Sequence, residues 1–183
     1  MATDKKILNE HVVNFFSRKT EYRSLSNFWE KDVSIETRIY ESGEHCFHGE
    51  KYLRLGNLCR DETRKMILIS HGKKFIKPSQ FTTCAIAKKM GGKTGLLLND
   101  KEIENWEPIS IALQKEICKW KFENYEEVKN DLIKSGTKLL VHPALRCKIG
   151  LWTGKGVIQN GSAVIIGKNM LGNIWMDIRN HIL

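Results

Sequence analysis

The stretch ESGEHCFHGEKY, residues 41–52, decides how this chain is read. Between Glu44 and Lys51 it packs two carboxylates, two histidines, a cysteine and a lysine into eight positions. Ser42 has the chemistry of a helix N-cap and Gly56-Asn57 that of a stop, so the pattern predicts a helix running to about Leu55. A helix places Glu44, His48, Lys51 and Leu55 on one stripe, at spacings of four, three and four. Three ionisable side chains on one face suit a pocket wall. The plainer alternative is a solvated face carrying an i,i+4 Glu–His pair, and the spacing alone leaves both open.

Metal chemistry fits the stretch poorly. His48-Gly49-Glu50 matches the H-x-E of zinc deaminases, but that metal also needs a C-x-x-C, which the chain lacks. His45 and His48 stand three apart, whereas a zincin sets two histidines four apart around a glutamate. We therefore expect no metal and no cofactor. GGKTG (91–95) resembles the end of a phosphate-binding loop, yet Ala87 occupies the position of its first glycine and a helix precedes it. A helix C-cap is the better reading.

Outward from this helix, the pattern is α+β: a mostly helical single domain with short strands and hairpins. Strands are predicted at VVNFF (12–16) and TKLLVH (137–142), and hairpins at VSIETRIY (33–40) and VIQNGSAVII (157–166). In the second hairpin Asn160-Gly161 supplies the positive φ values of a two-residue turn. Further helices are expected at about 61–69, 79–90 with Ser79 as cap, 107–122, and 124–135 with Asn124 and Glu127 as a capping box. A last helix from Lys168 aligns Leu171, Trp175, Ile178 and Ile182. Residues 1–10 read as an N-terminal tail and 11–183 as the domain. Lys and Arg exceed Asp and Glu by 30 to 21, a formal charge of +9 that points to an anionic partner, although the charges are scattered over the surface. Five dispersed cysteines fit free thiols in a cytoplasmic protein better than a disulfide framework. The N-terminus has no signal-peptide pattern and no run is long enough to span a bilayer, so no membrane partner is expected. Oligomeric state is not readable.

The segment EHCFHGEKY resembles the EHxFQxxKF motif of the NADAR family, the YbiA-like N-glycosidases. SLSNF (24–28), which contains Ser26, Asn27 and Phe28, is similar to the family's xFSNF. ENWEPISIALQKEICKWKF is similar to its DW…KF helix, with Trp106 and Lys121-Phe122 in the same relative places. GKNMLGNIWMDIR (167–179), with Asn169, resembles GxNxLGxxLMxxR. These motifs keep the family order from about Phe15 to Arg179. Departures exist too. His48 replaces a glutamine, and Ile149 and Thr153 stand where DxxWG has aspartate and glycine around Trp152.

The resemblance implies cleavage of a C–N bond between a phosphorylated ribose and a nitrogenous group. Its substrates would be a riboflavin-pathway pyrimidine carrying ribose 5-phosphate, or ADP-ribosylated guanine. A carboxylate facing the anomeric carbon stabilises positive charge on the sugar or activates water, and Glu44 is the candidate. Lys51 has two readings: capture of a ring-opened ribosyl aldehyde as a Schiff base, or simple phosphate binding or ion pairing. Substrate contacts are expected from Ser26, Asn27, Phe28, His45, His48, Trp106, Trp152 and Asn169, the aromatic ones being equally plausible as core. The alternative function is a non-catalytic module that binds ADP-ribose, nucleotides or nucleic acid.

Overall fold

The computed structural model describes residues 2–16, 20–144 and 148–181. The architecture is α+β and mostly helical, as the pattern predicts. From the N-terminus the chain passes through α1 (Ala2–His11), β1 (Val12–Asn14), the hairpin β2 (Val33–Ile35) and β3 (Arg38–Tyr40), and α2 (Gly43–Leu58). It continues through α3 (Glu62–Lys73), α4 (Cys84–Gly91), α5 (Asp100–Asn124) and α6 (Glu126–Ser135). It ends with β4 (Leu139–Val141), the hairpin β5 (Lys155–Gln159) and β6 (Ser162–Ile166), and α7 (Met170–Asn180). Two compact units result: Met1–Ser26 with Phe122–Leu183, and the continuous stretch Asn27–Lys121.

In the discontinuous unit β1 pairs in parallel with β4, Val12 opposite Leu139. The β5–β6 turn takes the predicted form, with Asn160 and Gly161 at φ of 51° and 78°. Helix α7 buries Leu171 and Trp175, and the Trp175 indole N–H donates to the Leu25 carbonyl at 2.9 Å. Ile182 of the expected stripe lies outside the described residues. The segment read as a tail is helical, because Ile7 and Leu8 form an apolar pair, half-buried where α1 packs against β5 and β6.

The continuous unit is built around α2. Tyr40, Tyr52, Leu55, Leu68, Phe75, Leu113 and Ile117 form its buried core. Helix α2 runs on to Leu58, past the expected stop at Gly56-Asn57. Gly56 serves close packing instead, since a Cβ there would sit 2.7 Å from Ile69 of α3. Two other helix starts differ from expectation. Ser79 is engaged in a turn, accepting from the Phe81 N–H and donating to the Lys74 carbonyl, so α4 is capped by Thr83, whose hydroxyl accepts from the Ile86 N–H. Helix α5 begins at Asp100 rather than 107, because Asn99 and Glu102 form a reciprocal capping box at 2.9 Å each way, leaving Pro108 inside the helix. For α6 the N-cap is Tyr125, one residue beyond Asn124.

The face of α2 away from the Glu44 stripe buries Glu50 completely. Its carboxylate accepts from Arg38 Nε at 2.7 Å, the Tyr40 hydroxyl at 2.6 Å and Arg54 Nε at 3.2 Å. Two guanidiniums and a phenol thus replace the water that the charge loses on burial. This anchors the β2–β3 hairpin to the helix.

Candidate active site

The N-terminal turn of α2 is fixed from two directions. Ser42 is extended, and its hydroxyl accepts from the His45 N–H at 3.2 Å. The Glu44 N–H donates to the Asn27 carbonyl at 2.9 Å. Asn27 itself is held by a reciprocal amide pair with Gln114 of α5, at 2.8 and 3.0 Å. Gly43 admits this contact, because a Cβ there would approach Asn27 Oδ1 to 2.8 Å. Asn27 is therefore docked on the turn that carries Glu44.

Glu44, His48 and Lys51 share one face of α2, and that face is not solvated. The Glu44 and His48 side chains are 10% and 12% exposed, with Nε2 and Oε1 3.1 Å apart. With Nε2–H donating to Glu44, Nδ1 is left buried with no hydrogen-bond partner among the described residues. The ring lies against Gly91, where a Cβ would fall 2.1 Å from both Cγ and Nδ1. Lys51 is buried as well. Its amine donates to the Gly91 carbonyl and lies 4.4 Å from the centroid of the Tyr52 ring. Burial pushes the Lys51 pKa down to about 8, because desolvation penalises the charged amine.

The C-terminal carbonyls of α4 gather further donors. The His71 ring reaches the Met90 carbonyl at 3.1 Å, and the Tyr52 hydroxyl donates to Leu96 at 2.9 Å just beyond. Burial lowers the His71 pKa and raises that of Tyr52, to about 12, so both stay neutral donors at pH 7. Helix termini leave such carbonyls without intrahelical partners, and here side chains from α2 and α3 supply them. GGKTG is thus the end of a helix and the turn after it, as the sequence predicts.

Gly91 bears on His48 through its missing side chain and on Lys51 through its carbonyl. Gly91→Ala should displace the imidazole and disturb the amine together. The expected result is a loss of about 1–3 kcal/mol of stability, the usual cost of overpacking, with a lower melting temperature in a thermal scan. An unchanged melting temperature would mean that the α4 terminus yields freely.

The remaining expected site residues divide between the units. In the continuous unit His45 is buried with both ring nitrogens engaged: Nε2 donates to the Phe81 carbonyl at 2.6 Å, and Nδ1 lies 2.8 Å from the Ser42 hydroxyl. It braces the start of α2. Phe28 is half-buried beside the same turn, its carbonyl 3.7 Å from Cys84 Sγ. Trp106 packs edge-on against Phe47, with centroids 5.2 Å apart, at the margin of the core. The other three belong to the discontinuous unit. Ser26 closes the short turn Arg23–Leu25. Asn169 ties α7 to β4, donating to the Leu140 carbonyl at 2.8 Å and accepting from the His142 N–H at 3.0 Å. Trp152 is half-buried, its carbonyl facing His142 Nδ1 at 3.3 Å. Ile149, where the family pattern has aspartate, is exposed. Gly91, Tyr52 and His71 were missed in the sequence; only the forty-residue separation of Lys51 and Gly91, bridged by the fold, brings them in.

Among the described residues no three His, Cys, Asp or Glu side chains converge as a metal ion would require. Cys46, Cys59, Cys84 and Cys118 are free thiols, and Cys147 lies outside the described residues. No described helix is long and apolar enough to cross a membrane.

Three comparisons bear on this site. N-glycosidase YbiA of Escherichia coli (strain K12) is 23% identical over 177 residues, covering 96% of this chain and 91% of its own length. N-glycosidase YbiA of Shigella sonnei (strain Ss046) matches with the same identity and coverage. The NMR structure of the E. coli protein YbiA superposes with a TM-score of 0.60 at 21% identity, over 94% of this chain and 84% of that one. A single family model, described as NADAR domain, matches residues 14–183 and so spans nearly all of both units. The chain belongs to the NADAR domain family.

Proposed function

We propose that this protein is an N-glycosidase that hydrolyses the C–N bond between a phosphorylated ribose and a nitrogenous base or amine. The observation that carries the reading is the pairing of a buried carboxylate and a buried, low-pKa amine on one face of α2, with His48 between them. As the base departs, positive charge grows on the anomeric carbon and its ring oxygen. Glu44 stabilises that charge or draws a proton from the attacking water. His48 orients the carboxylate by donating from Nε2. Lys51, with a pKa about 8, has a neutral fraction at working pH and can add to C1 of the ring-opened ribosyl iminium. The base then leaves with a proton as the C–N bond to it breaks and the lysine imine forms, and water hydrolyses that imine to release the sugar and the amine. The names of the YbiA relatives support the reaction class. The +9 formal charge agrees with a phosphorylated substrate.

Two substrates fit: the riboflavin-pathway pyrimidine bearing ribose 5-phosphate, and guanine bearing ADP-ribose, free or within a nucleic acid. Incubation with each, followed by mass spectrometry, should release ribose 5-phosphate or ADP-ribose. A second reading has its own observation. The Lys51 amine is already engaged with Gly91, as a purely structural lysine would be. On that reading the protein binds ADP-ribose or a related nucleotide without turnover, and neither product appears.

A further inference from the structure

Helices α2 and α4 run side by side in the same direction. At one end Cys84 Sγ lies 3.2 Å from the hydroxyl of Ser42, the α2 N-cap. At the other, Gly91 faces His48 and Lys51. Lys88 is one turn after Cys84 and three residues before Gly91, on the same side of α4, which sets it level with the first turn of α2 and Glu44. The chain agrees, since burial raises the pKa of the Cys84 thiol and the Glu44 charge adds to the effect. Lys88 is exposed, and one ring orders it. Its ammonium lies 5.3 Å from the centroid of the Phe28 ring, and Phe28 directly follows Asn27, whose carbonyl receives the Glu44 N–H.

Three backbone N–H groups at the start of α2 are already spent. Those of Glu44, His45 and Cys46 donate to the Asn27 carbonyl, the Ser42 hydroxyl and the Ser42 carbonyl. An anion approaching Glu44 therefore needs a side-chain cation. Among the described residues no carboxylate pairs with Lys88. A cation on an aromatic face keeps most of its charge available, and its alkyl stem is ordered by the ring rather than free.

We propose that Lys88 and Phe28 form the phosphate-recognition edge of the Glu44 site, Lys88 pairing with a phosphate of the ribosyl substrate while the Phe28 ring fixes the position of the ammonium. This inference rests on the reading of the Glu44 face as a ribosyl site. It explains how a substrate whose reacting carbon must meet a carboxylate is held there in spite of its own negative charge. Lys88 binds and orients, and it takes no part in bond cleavage.

The test measures KM and kcat for Lys88→Ala and Lys88→Arg on the phosphorylated substrate and on the same substrate with its phosphate removed, by phosphatase for the ribose 5-phosphate and by pyrophosphatase followed by phosphatase for the ADP-ribose. Binding of ribose 5-phosphate and of ADP-ribose is measured in parallel by calorimetry. Lys88→Ala should raise KM, or weaken binding, by about tenfold for phosphorylated ligands, mostly spare kcat, and change the dephosphorylated ligand less than twofold. Lys88→Arg should restore most of the loss. Equal losses on both ligands, or none on either, would overturn the phosphate edge, as would failure of the parent protein to bind either phosphorylated ligand. A parent that binds ADP-ribose but never cleaves would sink the hydrolase reading alone, because calorimetry still reports on Lys88.

Discussion

Glu44→Gln should lower turnover by roughly a hundredfold or more while leaving substrate affinity within a fewfold of the parent. The variant keeps the shape of the side chain and a carbonyl oxygen to accept from His48 Nε2, so the burial and the 3.1 Å contact are preserved. What it removes is the negative charge. The ground-state substrate, uncharged at its anomeric carbon, gains little from that charge. The oxocarbenium-like transition state gains a great deal, in a site where burial keeps the attraction from being screened. Steady-state kinetics on the substrate identified by mass spectrometry separate kcat from KM. If kcat holds while KM rises, Glu44 binds rather than catalyses. If neither moves, the carboxylate is structural.

Lys51→Arg should reduce turnover by at least about a hundredfold if the amine is a nucleophile, because a guanidinium stays charged and forms no imine at neutral pH. Borohydride added during turnover should then leave a ribosyl adduct on the parent, found by intact-mass measurement, and none on the variant. Substantial turnover by the variant would rule out the Schiff base and return Lys51 to capping α4 through Gly91. The pH dependence is a separate check. The folded pKa of Lys51, about 8, lies below the ordinary lysine value. Between about pH 8 and the unfolded value near 10.4 the unfolded chain binds more protons, so stability rises with pH across that window. Below about pH 8 the amine is charged in both states and its burial costs on the order of 3 kcal/mol. Lys51→Met should be relieved of that cost at pH 7, and its advantage in a denaturant melt should shrink as the pH passes 8. Activity through a neutral amine should rise over the same midpoint. Roughly 10 Å separates the α-carbons of Glu44 and Lys51, seven residues along the helix, a span that two long side chains close around one ribose.

How far the site could be read in advance depended on whether its signals were local. The Ser42 cap, the four-three-four spacing and the SNF segment all act within one turn or one contact, and the structure brings Asn27, Phe28, Glu44, His48 and Lys51 together in one unit. The Asn160-Gly161 turn and the α7 stripe were equally legible, since each is a short-range device. Local signals also misled. After Pro78, Ser79 and Thr83 both have cap chemistry, and the choice fell to a tertiary turn at Lys74. The expected start at about 107 passed over the Asn99–Glu102 box that stands upstream. What no pattern carried was the meeting of Lys51 and His48 with Gly91, and of Glu50 with Arg38, because these depend on where whole elements come to rest. The burial of the Glu44 face belongs with them. Sequence could place three ionisable groups on a stripe but could not say whether water covers it.

The parallel pairing of β1 with β4 has a consequence for synthesis. Val12–Asn14 leaves the ribosome before any of Asn27–Lys121, whereas its partner Leu139–Val141 emerges after α6 is complete. The early strand must wait, with its edge unpaired, while all of Asn27–Lys121 is made. Closing so long a loop is a late and entropically costly event. The hydrogen bonds named around Glu44, His48 and Lys51 need none of that later chain, for each joins residues within the continuous unit. During vectorial synthesis α2 can therefore make these contacts before the β1–β4 pair has formed, and a nascent chain stalled before Leu139 would hold them ahead of its closure.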